Sequence, residues 1–142
     1  MLKKVYRIRK NKDFHAVYGK KNTVAAKTVV LYIMDNHTGV SRAGFSVSKR
    51  IGNAVVRNRC RRMMSEAVRL HFGEISPGTD CIFVGRKPIA KADFQQVEED
   101  VLYTLERKGR LASRGSGRFP YPSAPPDKKA PAYREKAGLE TP

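Results

Sequence analysis

Long apolar runs are missing from this sequence. No stretch approaches the ~18 residues that span a bilayer and no apolar signal segment follows Met1, so the chain reads as soluble and cytoplasmic, with no membrane partner. Cysteine is nearly absent: Cys60 and Cys81 stand alone, without a CxxC pair or a histidine at ligand spacing. That pattern excludes a disulfide framework and a zinc site, and two reduced, buried thiols are expected. Histidine is as sparse. His15, His37 and His71 fall in different predicted elements, which leaves no paired or HExxH arrangement for acid-base or zinc chemistry, and His71 reads as a core residue. Glu98, Glu99 and Asp100 are the densest carboxylates, but consecutive helical positions point in different directions, so a solvated acidic face is expected rather than a two-metal cluster. With no GxSxG, P-loop or GxGxxG motif either, no side chain is expected to be catalytic and none to bind metal.

Acidic residues are also in deficit, 13 against 29 Lys and Arg, which gives a formal charge of +16 and a pI near 10.3. Such a chain repels itself in the compact state unless a polyanion neutralises it. The excess is not confined to one end, because residues 1–108 carry 22 basic and 10 acidic side chains, a net of +12. From Gly109 onward Ser, Gly, Pro and Ala dominate and no apolar period survives beyond Leu111. Residues 1–108 are therefore expected to form one α+β domain with a basic N-terminal arm, and residues 109–142 a disordered basic tail.

Along the domain, Asn11 is placed to cap a short helix carrying Phe14, Val17 and Tyr18 at i, i+3 and i+4, with Gly19 at its end. Residues 28–35 (TVVLYIMD) are apolar on both faces, residues 36–39 supply turn chemistry, and residues 42–48 (RAGFSVS) alternate. Together these predict an antiparallel hairpin, with Ala43, Phe45 and Val47 on one face. Gly44, Ser46 and Ser48 form a small, open face where a ligand has room. A short edge strand is expected near residues 21–24. Gly52-Asn53 opens a long helical pattern with Val56, Cys60, Met63, Met64, Ala67, Leu70 and His71 on its apolar arc, and Arg57, Asn58, Arg61, Arg62, Ser65 and Arg69 opposite. A strand over residues 80–86 and a helix capped by Asp93, with Val97, Val101 and Leu105 inward, complete the order αβββαβα and a small mixed sheet.

Between residues 49 and 62 lie six basic side chains, Lys49, Arg50, Arg57, Arg59, Arg61 and Arg62, and no acid. Guanidinium groups donate paired, charge-assisted hydrogen bonds to phosphate oxygens, which suits a surface that must hold a folded polyanion in one orientation. Asn53 and Asn58 add neutral donors and acceptors for a base edge or a ribose hydroxyl. Like charges at i, i+4 cost about 0.2–0.5 kcal/mol per pair, and Arg57 and Arg61 have no acidic neighbour at that spacing, so a partner must compensate. On the residues alone, a module that stabilises ribosomal RNA fits the same charge. A helix reading duplex DNA fits less well, because no two-helix turn precedes the Arg face.

The run Ser48-Lys49-Arg50-Ile51-Gly52-Asn53-Ala54-Val55-Val56-Arg57-Asn58-Arg59-Cys60-Arg61-Arg62 resembles the signature of the protein subunit of bacterial ribonuclease P, with Arg57-Asn58-Arg59 as the hallmark. The resemblance extends over residues 3–108 through Lys12-Asp13-Phe14 with Tyr18, Val30-Leu31-Tyr32, residues 44–48 and Arg86-Lys87-Pro88. Two features depart from it. Arg50 and Arg61 stand where the family often has Lys, and Ser65 where it often has Arg before the Glu at 66. The resemblance implies an α/β sandwich with a left-handed βαβ crossover, a rare exception to the usual hand. It implies ribonuclease P RNA and precursor tRNA as partners, not DNA. Lys49, Arg50, Asn53, Arg57, Asn58, Arg59, Arg61 and Arg62 would dock on the catalytic RNA. Phe14, Tyr18 and Tyr32 would line a cleft for the single-stranded 5′ leader, by the stacking that serves unpaired bases generally. Endonucleolytic removal of the leader would fall to the RNA and its Mg²⁺.

Overall fold

A strand that is apolar on both sides is stable only when both sides are covered. In the computed structural model, which describes residues 2–111, the cover is one helix on one face of a four-stranded sheet and two helices on the other. The elements are α1 (Asn11–Gly19), β1 (Thr23–Ala25), β2 (Val29–Asp35), β3 (Arg42–Ser46), α2 (Ala54–His71), β4 (Thr79–Gly85) and α3 (Phe94–Arg107), in the predicted αβββαβα order. Val29, Leu31 and Ile33 of β2 join Cys81 and Phe83 of β4 beneath α2 and α3. The alternate residues Val30, Tyr32, Ile82 and Val84 meet Val17 of α1 and Ile8 of the arm. Each fully buried aliphatic side chain stabilises the fold by roughly 1.5–3 kcal/mol before conformational entropy is counted.

The predicted hairpin does not form. The strand order is β1-β2-β4-β3, so β4 lies between β2 and β3, antiparallel to the first and parallel to the second. Every residue of β4 is buried, whereas β3 keeps half-exposed Arg42, Phe45 and Ser46, and the wholly apolar strand takes the interior place. The turn after β2 also directs the chain away. Asn36 donates its backbone N–H to Gly78 O at 2.9 Å and accepts from Thr38 N at 2.9 Å. Gly78 has φ +78°, and a Cβ there would sit 2.7 Å from Thr38 O, so only glycine lets the two loops meet. The expected edge strand is β1, paired antiparallel with β2.

Both long helices start as their sequences indicate. Asn53 accepts from Val56 N at 3.0 Å and Asp93 from Gln96 N at 2.9 Å, each satisfying one free N–H of a first turn. In α1, by contrast, Asn11 is the first helical residue and Lys10 occupies the cap position without a side-chain bond. Cys60, Met63, Met64 and Ala67 are buried as expected, and so is Val68, but Leu70 is half exposed. His71 is not in the core. Its Nε2 lies 2.7 Å from Glu98 and its Nδ1 3.3 Å from Glu74, tying α2 to α3 at their rims. Ser65, placed by periodicity on the polar side, is buried at the bottom of a groove that α2 forms with the arm and β3.

The expected acidic face is likewise mostly spent inside the protein. Asp100 is buried and accepts from Thr28 N and Oγ1 and from Gln96 Nε2, while Glu98 faces His71. Cys60 and Cys81 are free and buried, and burial pushes both thiols up, Cys81 to about 12. The folded body also runs past residue 108. Leu111 is buried and bridges to Ile75, and Arg110 pairs with Asp35 at 2.7 Å, holding that carboxyl below its ordinary range. Residues 112–142 of the expected tail lie outside the described residues.

One charge is fully buried in the sheet. Asp80 accepts from Arg42 Nη2 at 2.7 Å, Arg42 Nε at 3.1 Å and Asn36 Nδ2 at 2.7 Å, and Arg42 Nη1 reaches Asp13 of α1 at 3.4 Å. Asp80→Asn is expected to lower the unfolding free energy by about 2–3 kcal/mol, since Arg42 then loses its closer, buried carboxylate and keeps only the longer contact to Asp13. The measurement is urea denaturation, read as a lower midpoint at unchanged slope.

Candidate nucleic-acid interface

The N-terminal half of α2 carries the charge. Lys49 and Arg50 are exposed on a short 3-10 turn (Lys49–Ile51) that leads into the helix, and Asn53 spends its side-chain oxygen on capping. Arg57 Nε donates to Gly52 O at 3.2 Å, which holds the guanidinium back against that turn. Arg61 donates to Asn58 Oδ1, and Arg62 extends into solvent. Among the described residues none of Arg57, Arg61 and Arg62 has a carboxylate partner, and the next acid along the helix, Glu66, is taken by Arg69.

Arg59 behaves differently. Its Nη2 donates to Ala90 O at 2.7 Å, and Nη1 lies 3.5 Å from both Ala92 O and Met63 Sδ. It is a brace between α2 and the 3-10 segment Lys87–Lys91, not part of the free Arg face. Two residues from Arg57 is about 200° of helix rotation, so the two guanidinium groups cannot share one face.

The basic arm, whose placement the sequence left open, completes the surface. Ile8 N donates to Ala43 O at 2.8 Å and Arg7 bridges to Ala43 in parallel, so the arm lies along β3 with Ile8 buried, Arg7 half-buried and Arg9 exposed. The alternation Arg7-Ile8-Arg9 is the signal that marks a strand-like segment here. Two open grooves of about 410 Å³ each flank it, one against α2 and one against α1, and Arg7 and Arg9 line both.

On the opposite face of the sheet the three predicted aromatic residues do come together. Phe14 and Tyr18 have ring centroids 6.2 Å apart, and Tyr18 meets Tyr32 edge-on at 4.8 Å. Phe14 and Tyr18 are half-buried, but Tyr32 is only 6% exposed and forms the floor beneath Tyr18 rather than a wet edge. Burial pushes the Tyr18 phenol up to about 12, partly offset by Ser46 beside it, although the contact lacks hydrogen-bond geometry and leaves Tyr18 Oη unpartnered. The face expected to be open at Gly44 is filled by the Phe14 ring. A Cβ on Gly44 would lie 2.9 Å from Phe14 Cζ, and the missing side chain is what lets α1 settle.

Among the described residues no group of three His, Cys, Asp or Glu is arranged to hold a metal ion, and no helix is long and apolar enough to cross a membrane. A family model described as Ribonuclease P matches residues 2–109. The chain belongs to the ribonuclease P protein family. The ribonuclease P protein component of Thermoanaerobacter sp. (strain X514) is 45% identical over 101 residues, covering 71% of this chain and 87% of that relative. The structure of the Staphylococcus aureus RNase P protein is similar at TM-score 0.69 and 34% identity, over 75% of this chain and 97% of that one. That of Thermotoga maritima gives 0.66 and 28%, over 71% and 96%. A ribonuclease P protein is a subunit of the holoenzyme that cleaves precursor tRNA, and its partner is RNA.

The two kinds of arginine separate by experiment. Arg59→Ala is expected to lower stability by about 1–2 kcal/mol through the lost carbonyl bonds, seen as a fall in Tm. Arg62→Ala should leave Tm unchanged, weaken RNA binding, and reduce the slope of log affinity against log salt by about one.

Proposed function

We propose that this subunit docks on the catalytic RNA of ribonuclease P through α2 and the arm, and holds the 5′ leader of precursor tRNA on the aromatic residues of α1 and β2. The carrying observation is the set Arg57, Arg61 and Arg62 with no carboxylate partner among the described residues, on a helix whose other face is locked into the core. A helix built this way has charge to offer and no freedom to turn it elsewhere. Phosphate neutralisation with release of counterions supplies the affinity, and the Arg forks supply orientation.

The leader reading rests on the half-buried Phe14 and Tyr18 rings, supported from below by Tyr32. Stacking on such rings contributes about 1–3 kcal/mol per base and tolerates any sequence. Hydrolysis belongs to the RNA and the Mg²⁺ it holds, and the protein contributes substrate affinity and positioning. The partners in this reading are ribonuclease P RNA and precursor tRNA in the cytoplasm, with duplex DNA excluded.

Reconstitution with a bacterial ribonuclease P RNA should stimulate cleavage of precursor tRNA at near-physiological salt, and an unstimulated reaction refutes the proposal. Tyr18→Ala should weaken binding of substrates with long leaders about five- to tenfold while sparing those with a one-nucleotide leader. A loss independent of leader length would remove the cleft. Equal affinity for duplex DNA and structured RNA at matched salt would remove the exclusion of DNA.

A further inference from the structure

The groove between the arm and α2 is built unlike a plain phosphate-binding surface. Its floor is apolar, formed by Ile8, Ala43 and Phe45, and its rim is cationic, with Arg7 and Arg9 on one side and Arg61 and Arg62 on the other. Phosphate has no use for an apolar floor. A nucleobase does, and about 410 Å³ lies in the range of pockets that enclose small organic groups. The companion groove toward α1 shares Arg7 and Arg9, but its remaining lining is Lys4, Lys10, Asp13 and Arg42, a polar wall suited to backbone and not to a base.

Two polar groups in the first groove lack what they need. Among the described residues, the Oγ of Ser65, which is 1% exposed, has no partner, and the buried Nε of Arg7 has no acceptor. Asn58, whose oxygen is taken by Arg61, keeps its amide N–H groups for a ligand. Buried polar groups are normally paired, so unmet ones lining a cavity mark where a ligand's polar atoms belong.

Resting on the RNA-binding reading above, we infer that this groove takes one extruded base of the RNA partner. The base packs on the half-buried ring of Phe45, its edge meets Asn58 and Ser65, and the phosphates on either side lie over the two pairs of arginines. Ser65 is what leaves the room. A longer side chain at that position fills the space.

The probe is an RNA hairpin whose stem carries one bulged adenosine, compared with the same hairpin carrying an abasic ribose at the bulge, each titrated with the full chain. The stem keeps the strand off the aromatic cleft, which takes single strands. The bulged adenosine should bind about five- to tenfold tighter, the lower part of the range for one stacked base. Ser65→Arg should abolish that ratio whether or not the added charge raises overall affinity, and Asn58→Ala should reduce it, which keeps the test decisive if the buried substitution does not fold. Equal affinity of the wild-type chain for the two hairpins overturns the base pocket and leaves RNA binding standing. Absence of salt-dependent binding to either hairpin and to ribonuclease P RNA overturns both.

Discussion

β4 has no exposed residue, and a strand of that kind must be paired along both sides as well as covered above and below. β2 pairs with it on one side and β3 on the other, the second in parallel. A parallel pairing between consecutive strands needs a long crossover, and α2 is that crossover. The placement of the basic helix is thus a consequence of β4. Cys60, Met64, Ala67 and Val68 must face the sheet, and the arginines are left where neither rotation nor sliding can bury them.

Charge is distributed by the same logic. Among the described residues of this +16 chain, six of the ten acidic side chains bond across elements: Asp80 and Asp13 with Arg42, Asp100 with Thr28, Glu98 and Glu74 with His71, Asp35 with Arg110. Those bonds lie away from residues 57–62. Internal pairing and outward charge are two sides of one allocation, and the compact state keeps a self-repulsion that a bound polyanion removes.

The sequence made elements legible and neighbours only partly so. The period of residues 54–71, the caps at Asn53 and Asp93, and the inward row Val97, Val101 and Leu105 follow from local rules and hold in the structure. The misplaced hairpin has a different cause, since pairing β3 with β4 instead of β2 is decided by which strand is apolar on both faces, a comparison across the whole chain. Periodicity likewise marks a face without saying what meets it. Ser65 lies in a groove walled by an arm nearly sixty residues earlier in the sequence, His71 is claimed by Glu98, and Arg59, inside the most recognisable motif, is drawn to carbonyls at Ala90 and Ala92. Asn58 and Arg62 are exposed as their polarity leads one to expect, whereas Arg57 and Arg61 are half-buried, Arg57 through its bond to Gly52 O.

The arm crosses from one layer to the other as it passes β3: Leu2 and Tyr6 pack with the residues under α2 and α3, and Ile8 with those under α1. Without it β3 would be a bare outer strand, open to pairing with the same strand of another molecule. Natural sheets block such aggregation with charge and with short or covered margins. Here β1 is only three residues long at one margin, and at the other Arg7 makes the bridge to Ala43 with Arg9 two residues on. Cations in that position turn away a second copy of the same basic chain while welcoming a phosphate backbone. In the reading proposed above, the side chains that keep copies of the free subunit apart are the same ones that face the RNA.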